Sequence, residues 1–256
     1  MDTGNRNQSF WEHLDELRTA LVKICLVAVA FAIVAFCCKD VLFSVILAPQ
    51  KSTFLIYRLF NLIGEWTGSD ASDFSVRLIN TGLARQFVVH MKMALSFGLL
   101  MASPYILYQI FRFVSPALYT HERHYAISVT ACGYLMFILG VLASYFLVFP
   151  LTFRFLGTYQ VNEGIENLIS LDSYISTLMT LCLMMGLVFE IPVLCWLFAK
   201  LGFISAAFLR RYRKHAIVII LLLAAVITPT ADIVTLIVVS LPMYLLYELS
   251  ILLIRR

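Results

Sequence analysis

The sequence has few charged residues and few residues that break helices. Charged residues make up 13% of its 256 residues, and glycine and proline number 11 and 7. A typical soluble domain has about 25% charged residues. Hydrophobic residues make up 61% of the chain, which is more than a water-bounded core can hide. This composition excludes a soluble cytosolic enzyme and a disordered chain, and it predicts a membrane protein.

The sequence also lacks catalytic and cofactor-binding motifs. It contains no glycine-rich phosphate loop, no Gly-x-Ser-x-Gly motif and no His-Glu-x-x-His motif. The histidines of His121–His124 are three residues apart, where a zinc-binding helix needs four. The six cysteines lie in apolar stretches, away from the polar loops in which disulfides form. We therefore predict no enzyme activity, no metal, no cofactor and no nucleic-acid partner.

Six apolar stretches approach the length of about 20 residues that a membrane-spanning helix needs. They lie at about residues 21–38, 87–113, 126–149, 174–198, 216–228 and 233–250. The apolar run of the fifth, Ala216–Ile227, has 12 residues, or about 18 Å of helix, and that of the sixth ends near Leu246. The sequence predicts one polytopic all-α domain, residues 1–256, with six transmembrane helices, of which the fifth and sixth are short.

The distribution of basic residues predicts the orientation of these helices. If the N-terminus is cytoplasmic, 12 of the 19 lysines and arginines lie inside and 6 outside, with Lys92 within a span. Positive charge favours the cytoplasmic side. We therefore expect both termini to be cytoplasmic, and we assign the basic cluster Arg210–Lys214 to this topological role. The long loop at residues 39–86 then lies outside, where we expect short amphipathic helices.

An N-terminal amphipathic helix precedes the first span. Ser9 and Glu12 have the spacing of a capping box, so a helix begins near Ser9. The cap leaves Asp15 and Glu16 unexplained. They fit two interpretations equally well: an acidic face that is solvated and paired with Arg18, or a carboxylate that binds an external cation.

Two further carboxylates stand out. Glu122 lies in the second inner loop, where the dipole of the third span favours an anion by about 0.3–1 kcal/mol, and this is enough to explain it. Glu190 lies within the fourth span, where a charge costs about 2.5–3.5 kcal/mol on insertion scales. It is therefore expected to be protonated, paired or in a wet cavity. An intramembrane carboxylate indicates function, and a glutamate bonded to the backbone of a neighbouring helix is the structural alternative.

Several segments match the motifs of one known family. Ser9–Arg18 is similar to His-Leu-x-Glu-Leu-Arg, Pro104–Gln109 to Pro-x-x-x-Tyr-Gln, and Phe113–Glu122 to Phe-x-x-Pro-Ala-Leu-Tyr-x-x-Glu. Phe189–Pro192 and Thr228–Asp232 match further family segments. The sequence thus resembles the TatC family, the multi-spanning receptor subunit of the twin-arginine protein translocase.

The resemblance implies a function in protein export. The family binds signal peptides that carry two adjacent arginines, and it supports export of folded proteins across the bacterial cytoplasmic (inner) membrane with the proton motive force. The implied partners are these peptides, single-span subunits of the TatA and TatB type, and the lipid bilayer, in an oligomeric complex.

The resemblance also assigns roles to residues of this sequence. The arginine-binding carboxylates fall on Glu16 and Glu122. The signal-peptide-binding residues around them are Arg18, Phe113, Pro116, Leu118 and Tyr119. The functional intramembrane glutamate falls on Glu190. Outer-cap and partner contacts fall on Pro49, Tyr145, Pro229 and Asp232.

A proton-coupled secondary transporter of a small solute, with Glu190 as its proton site, is the alternative function. The absence of an internal repeat and the uncharged third span argue against it.

Overall fold

The structure is a computed structural model, and it describes residues 10–51, 53–58, 77–114, 126–159, 162, 168–228 and 232–255. Its helices are α1 (Phe10–Cys37), α2 (Lys39–Ile46), α3 (Arg85–Val114), α4 (Ala126–Ala143), α5 (Phe149–Thr158), α6 (Leu171–Phe189), α7 (Ile191–Lys200), α8 (Ala206–Arg211), α9 (Arg213–Ile227) and α10 (Ile233–Arg255). Two short strands, β1 (Leu78–Ile79) and β2 (Ile169–Ser170), pair in parallel.

Five helical segments among the described residues are long and apolar enough to cross a bilayer. They are Leu14–Cys37, Arg85–Phe113, Val129–Thr158, Leu171–Lys200 and Ile233–Ile254. The predicted all-α membrane fold is therefore confirmed. The remaining candidate, α9, has 15 residues, or about 22 Å of helix, which is less than the hydrocarbon thickness of about 30 Å. The count of six spans stays a prediction.

Of the two helices predicted to be short, only α9 is short. α10 has 23 residues, and polar side chains that interrupt its apolar run have partners. The Ser250 hydroxyl donates to the Leu246 carbonyl oxygen (2.7 Å), and Glu248 accepts from Arg213 (2.6 Å). The prediction of a short sixth helix is wrong, because an apolar run understates the length of such a helix.

α1 and α3 pack closely in antiparallel orientation. At Gly98 a Cβ atom would lie only 2.6 Å from the backbone nitrogen of Ala32, so glycine permits the two backbones to approach. Towards the other end of the contact, the Phe36 ring stacks on His90 with a centroid distance of 4.1 Å. Most of the remaining surface of α1 is exposed.

α6 is the central helix of the bundle. Its Ile175, Leu178, Leu181 and Met185 are almost completely buried. It packs against α4, where a Cβ atom at Gly140 would lie 2.5 Å from the carbonyl oxygen of Met185. The fold therefore depends on close backbone contact between these two helices.

Contacts between charged side chains identify the two ends of the bundle. Asp172 accepts from Arg85 and from Lys92 (2.7 Å), so α3 and α6 begin at one end, which we call the cap end. Glu248 accepts from Arg213, so α9 begins where α10 ends. This opposite end, which we call the terminal end, also holds the start of α1, because α1 runs antiparallel to α3.

Candidate functional site

The structure describes only some of the predicted site residues. Glu16 and Arg18 lie on α1, and Phe113 lies in the last turn of α3. Those that lie outside the described residues are Pro116, Leu118, Tyr119, Glu122 and Pro229.

Glu16 lies near the start of α1 with its side chain exposed, as are those of Asp15 and Arg18. The neighbouring apolar residues Leu14 and Leu21 are also exposed, by 40% and 53%. This part of α1 therefore presents a carboxylate together with apolar surface. Such a surface suits a ligand that combines a cation with an apolar segment.

The contact between α1 and α3 fixes the level of Glu16 in the bundle. From the crossing of Ala32 and Gly98, 16 residues back along α1 lead to Glu16, and 16 residues forward along α3 lead to its last residue. Because the helices are antiparallel, Glu16 lies level with the end of α3. The chain continues directly from that point into the segment that carries Glu122.

Glu190 is buried at the break between α6 and α7. Glu190 is 5% exposed, and neither carboxyl oxygen has a hydrogen-bond partner among the residues that the structure describes. The break follows from Pro192, which has no N–H to continue the helix. None of the described residues therefore supplies the backbone partner of the predicted structural alternative, and that alternative stays a prediction.

The carboxyl group of Glu190 faces a glycine on α4. A Cβ atom at Gly133 would lie 3.1 Å from Oε2 of Glu190 and 3.1 Å from the ring of Phe111. Gly133 lies two helical turns from the start of α4 at Ala126, or about 10 Å. Glu190 thus approaches the last turns of α3, on the same half of the bundle as Glu16.

Tyr145 and Pro49 belong to the cap end. Tyr145 lies in a π-helical segment, Ser144–Val148, that joins α4 to α5, and its hydroxyl donates to the carbonyl oxygen of Val45 (2.6 Å). Pro49 is buried just after α2. The C-terminal carbonyl groups of α2 lack partners within the helix, so Tyr145 satisfies one of them.

Two further tyrosines that the sequence analysis missed hold the same region. The Tyr174 hydroxyl donates to the carbonyl oxygen of Ile46 (2.9 Å), and the Tyr57 hydroxyl donates to that of Pro150 (3.1 Å). Burial raises the pKa of Tyr57, so its hydroxyl stays protonated and able to donate. The sequence signal that could have indicated them is general: a buried tyrosine hydroxyl needs a hydrogen-bond partner.

Asp232 caps α10. Its Oδ1 accepts from the backbone N–H of Thr235 (2.6 Å), which is the geometry of an N-cap. The local structure therefore explains one oxygen of this residue.

A sequence model of the family described as "Sec-independent protein translocase protein (TatC)" matches residues 12–242. This chain belongs to the TatC family. It is 35% identical over 258 residues to a TatC protein of Blattabacterium sp. subsp. Periplaneta americana (strain BPLAN), which covers 98% of this chain and 96% of that protein. It is 33% identical over 251 residues to a TatC protein of Desulforapulum autotrophicum, which covers 98% of this chain and 86% of that protein.

A solved structure is similar over nearly the whole chain. The crystal structure described as "Twin Arginine Translocase Receptor- TatC" matches with a TM-score of 0.76 at 32% identity, covering 95% of this chain and 98% of that one. As a TatC-family protein, this chain is a multi-pass protein of the bacterial inner membrane and a component of a protein translocase.

Proposed function

We propose that this chain is the core receptor subunit of the twin-arginine translocation complex. It binds the twin-arginine signal peptides of folded precursor proteins and supports their export, with the proton motive force as the energy source. Membership of the TatC family and similarity to a structure described as a twin-arginine translocase receptor support this proposal.

The observation that carries the proposal is the position of Glu16. Its carboxylate is exposed, and the antiparallel register puts it level with the end of α3, from which the segment with Glu122 continues. We infer that the two carboxylates converge there on the two arginines. Phe113, Pro116, Leu118 and Tyr119 would form the apolar surroundings, and Arg18 would orient the carboxylates.

Arginine suits this site better than lysine. The planar guanidinium donates two parallel hydrogen bonds to a carboxylate, whereas an ammonium acts as a point charge. Each hydrogen bond to a charged group contributes about 1.5–3 kcal/mol, so two contribute about 3–6 kcal/mol. Micromolar binding requires about 8 kcal/mol. The difference must come from the apolar stretch of the signal peptide, for which the exposed leucines of α1 offer a surface.

Glu190 takes a different role in this proposal. Its carboxyl group is buried and lacks a hydrogen-bond partner in the described part of the chain, so we infer that it can accept a polar group of another chain that enters the bilayer. We propose that it acts in transport rather than in recognition of the arginines.

Partners complete the proposed assembly. The chain would act in an oligomeric complex with single-span subunits of the TatA and TatB type, for which Pro49, Tyr145, Pro229 and Asp232 are the proposed cap and partner contacts. It would move protein without catalysing a reaction.

Substitution of either carboxylate tests the proposal. Glu16→Ala and Glu122→Ala are each expected to weaken binding of a twin-arginine peptide by about tenfold to a hundredfold, because each loses one charge-assisted contact. Titration of the purified protein in detergent with a fluorescent peptide measures this. Asp15→Ala, which removes the adjacent exposed carboxylate, is the matched control and should bind as the wild type does.

A second measurement locates the peptide. A photo-crosslinker introduced at position 16 or 122 is expected to capture a twin-arginine peptide and not a twin-lysine peptide. Wild-type affinity in both alanine variants, or equal capture of the two peptides, would exclude the proposed site. Uptake of a small solute by liposomes that contain this chain alone would instead favour the transporter.

A further inference from the structure

The positive charge of the cluster Arg210–Lys214 is not neutralised by acidic residues in the neighbouring sequence. No aspartate or glutamate occurs from Ile191 to Ala231, whereas five lysines and arginines do. A topological role requires positive charge in this loop, but it does not require a particular structure around that charge.

The structure leaves three of these charges without a carboxylate. Arg213 donates to Glu248 (2.6 Å) and is thereby paired. Arg210, Arg211 and Lys214 are exposed and make no salt bridge within the part of the chain that the structure describes. Arg210 and Arg211 end α8, and Lys214 lies in the first turn of α9, so the three charges lie close together in the chain.

α8 is held in place against α10. The Ser205 hydroxyl oxygen accepts from the N–H of Phe208 (3.1 Å) and caps the helix. Leu209 is buried, and its carbonyl oxygen accepts from the Tyr247 hydroxyl (2.6 Å). The basic cluster is therefore attached to a fixed element of the bundle rather than to a free loop.

Exposed aromatic residues lie close to these charges in the sequence. Phe203, Phe208 and Tyr212 are 77%, 50% and 40% exposed, and the last two rings lie 4.6 Å apart. Below them, Val218 and Leu222 belong to an exposed apolar face of α9. Amphipathic rings such as that of Tyr212 lie at the headgroup level of a bilayer, and an apolar helix face contacts acyl chains.

We propose that Arg210, Arg211 and Lys214 form a binding site for the headgroup of an anionic phospholipid. Phe203, Phe208 and Tyr212 lie beside the glycerol region, and the acyl chains lie along the exposed face of α9. Charge complementarity selects the lipid, because these three exposed cations have no salt bridge among the described residues, where the carboxylate of Glu248 is already paired with Arg213. Among the same residues, the Arg210 side chain donates only to the Ala206 carbonyl oxygen (3.4 Å). Basic clusters directly beside a transmembrane helix bind anionic lipids in this way. The site is independent of signal-peptide binding.

The wild-type protein provides the first test. The purified full chain in neutral detergent is mixed with dioleoylphosphatidylglycerol or dioleoylphosphatidylcholine, and bound lipid is counted by native mass spectrometry. We expect at least tenfold tighter binding of phosphatidylglycerol, and we expect higher salt to weaken it. Equal binding of the two lipids would overturn the proposal without any variant.

Variants then locate the site. Each basic residue at an anionic surface adds roughly a factor of five to affinity, so three add roughly a hundredfold. The affinity for phosphatidylglycerol should fall by at least tenfold in the triple variant Arg210→Gln/Arg211→Gln/Lys214→Gln, and by roughly fivefold in Arg211→Gln alone. The control Lys39→Gln/Lys51→Gln/Arg58→Gln removes three exposed cations from elsewhere in the chain and should retain the lipid.

Two results would contradict the assignment. Wild-type retention of phosphatidylglycerol in the folded triple variant would place the lipid elsewhere. Binding of a polyglutamate peptide in preference to phosphatidylglycerol, lost in the same variant, would assign the cluster to an acidic protein segment. If the triple variant does not fold, the single variant and the two wild-type measurements decide the question.

Discussion

Two glycines on α4, Gly133 and Gly140, lie where a single added Cβ atom would contact a neighbouring helix. At Gly140 a Cβ atom would meet the main chain of α6 at 2.5 Å, and main chain cannot rotate away. At Gly133 a Cβ atom would meet the carboxyl group of Glu190 and the ring of Phe111, each at 3.1 Å. Side-chain ends can shift by a few tenths of an ångström, so the two glycines differ in how well they tolerate a methyl group.

We therefore expect Gly140→Ala to destabilise the protein more than Gly133→Ala does. Overpacking against backbone costs about 1–3 kcal/mol, whereas a small shift of the Glu190 carboxyl group should cost less than about 1 kcal/mol. Thermal unfolding in detergent measures the difference. Leu139→Ala, at an exposed position on the same helix, is the control and should change the midpoint little. A larger loss in Gly133→Ala would contradict the contact geometry.

At the scale of helices, apolar runs predicted where the elements lie better than where they end. The predicted third span ends at residue 149, but the helix continues to Thr158. The π-helical turn at Ser144–Val148 lets the helix accommodate Pro150, which has no N–H. Hydropathy carries no information about such a change of hydrogen-bond register. The contacts of Tyr57 and Tyr174 were not predictable either, because their acceptors lie 93 and 128 residues away in the sequence.

The tyrosine contacts predict how the cap end responds to substitution. Tyr174→Phe is expected to destabilise the protein by about 1–3 kcal/mol, because the Ile46 carbonyl oxygen loses its donor in a buried place. Tyr145→Phe should act in the same direction through Val45. Thermal unfolding and proteolysis near α2 measure the effect. Tyr108→Phe, which changes an exposed tyrosine on α3, serves as the control. Equal stability of Tyr174→Phe and Tyr108→Phe would show that the cap does not depend on this bond.

At the scale of the whole molecule, the sequence predicted the class of fold and an unusual environment for Glu190, but not the residues that surround it. A charged residue in an apolar run already indicates an unusual environment, and the structure buries it. That its neighbour would be a glycine of another helix depends on how α4 and α6 cross, which apolar periodicity does not encode. The level of Glu16 beside the end of α3 depends in the same way on the crossing at Gly98.

Whether α9 crosses the membrane decides on which side the C-terminus lies. With six spans, we expect a reporter at the C-terminus to be cytoplasmic and a reporter placed after Thr228 to be on the opposite side. Fusions to alkaline phosphatase, active only outside the cytoplasm, and to a green fluorescent protein that folds inside it distinguish the two positions. If α9 does not cross, α10 still does, so a cytoplasmic reporter after Thr228 together with a C-terminal reporter outside would reduce the count to five spans.

The bonds that hold α2 have a consequence for how this region can change over evolutionary time. Tyr145 and Tyr174 donate to main-chain oxygens, and every amino acid supplies such an oxygen. Mutational drift in the side chain of Val45, which is 45% exposed, therefore leaves its bond to Tyr145 intact. Purifying selection should instead act on Tyr145 and Tyr174. Orthologues should therefore differ in the sequence of α2 and still bond its main chain to these two tyrosines.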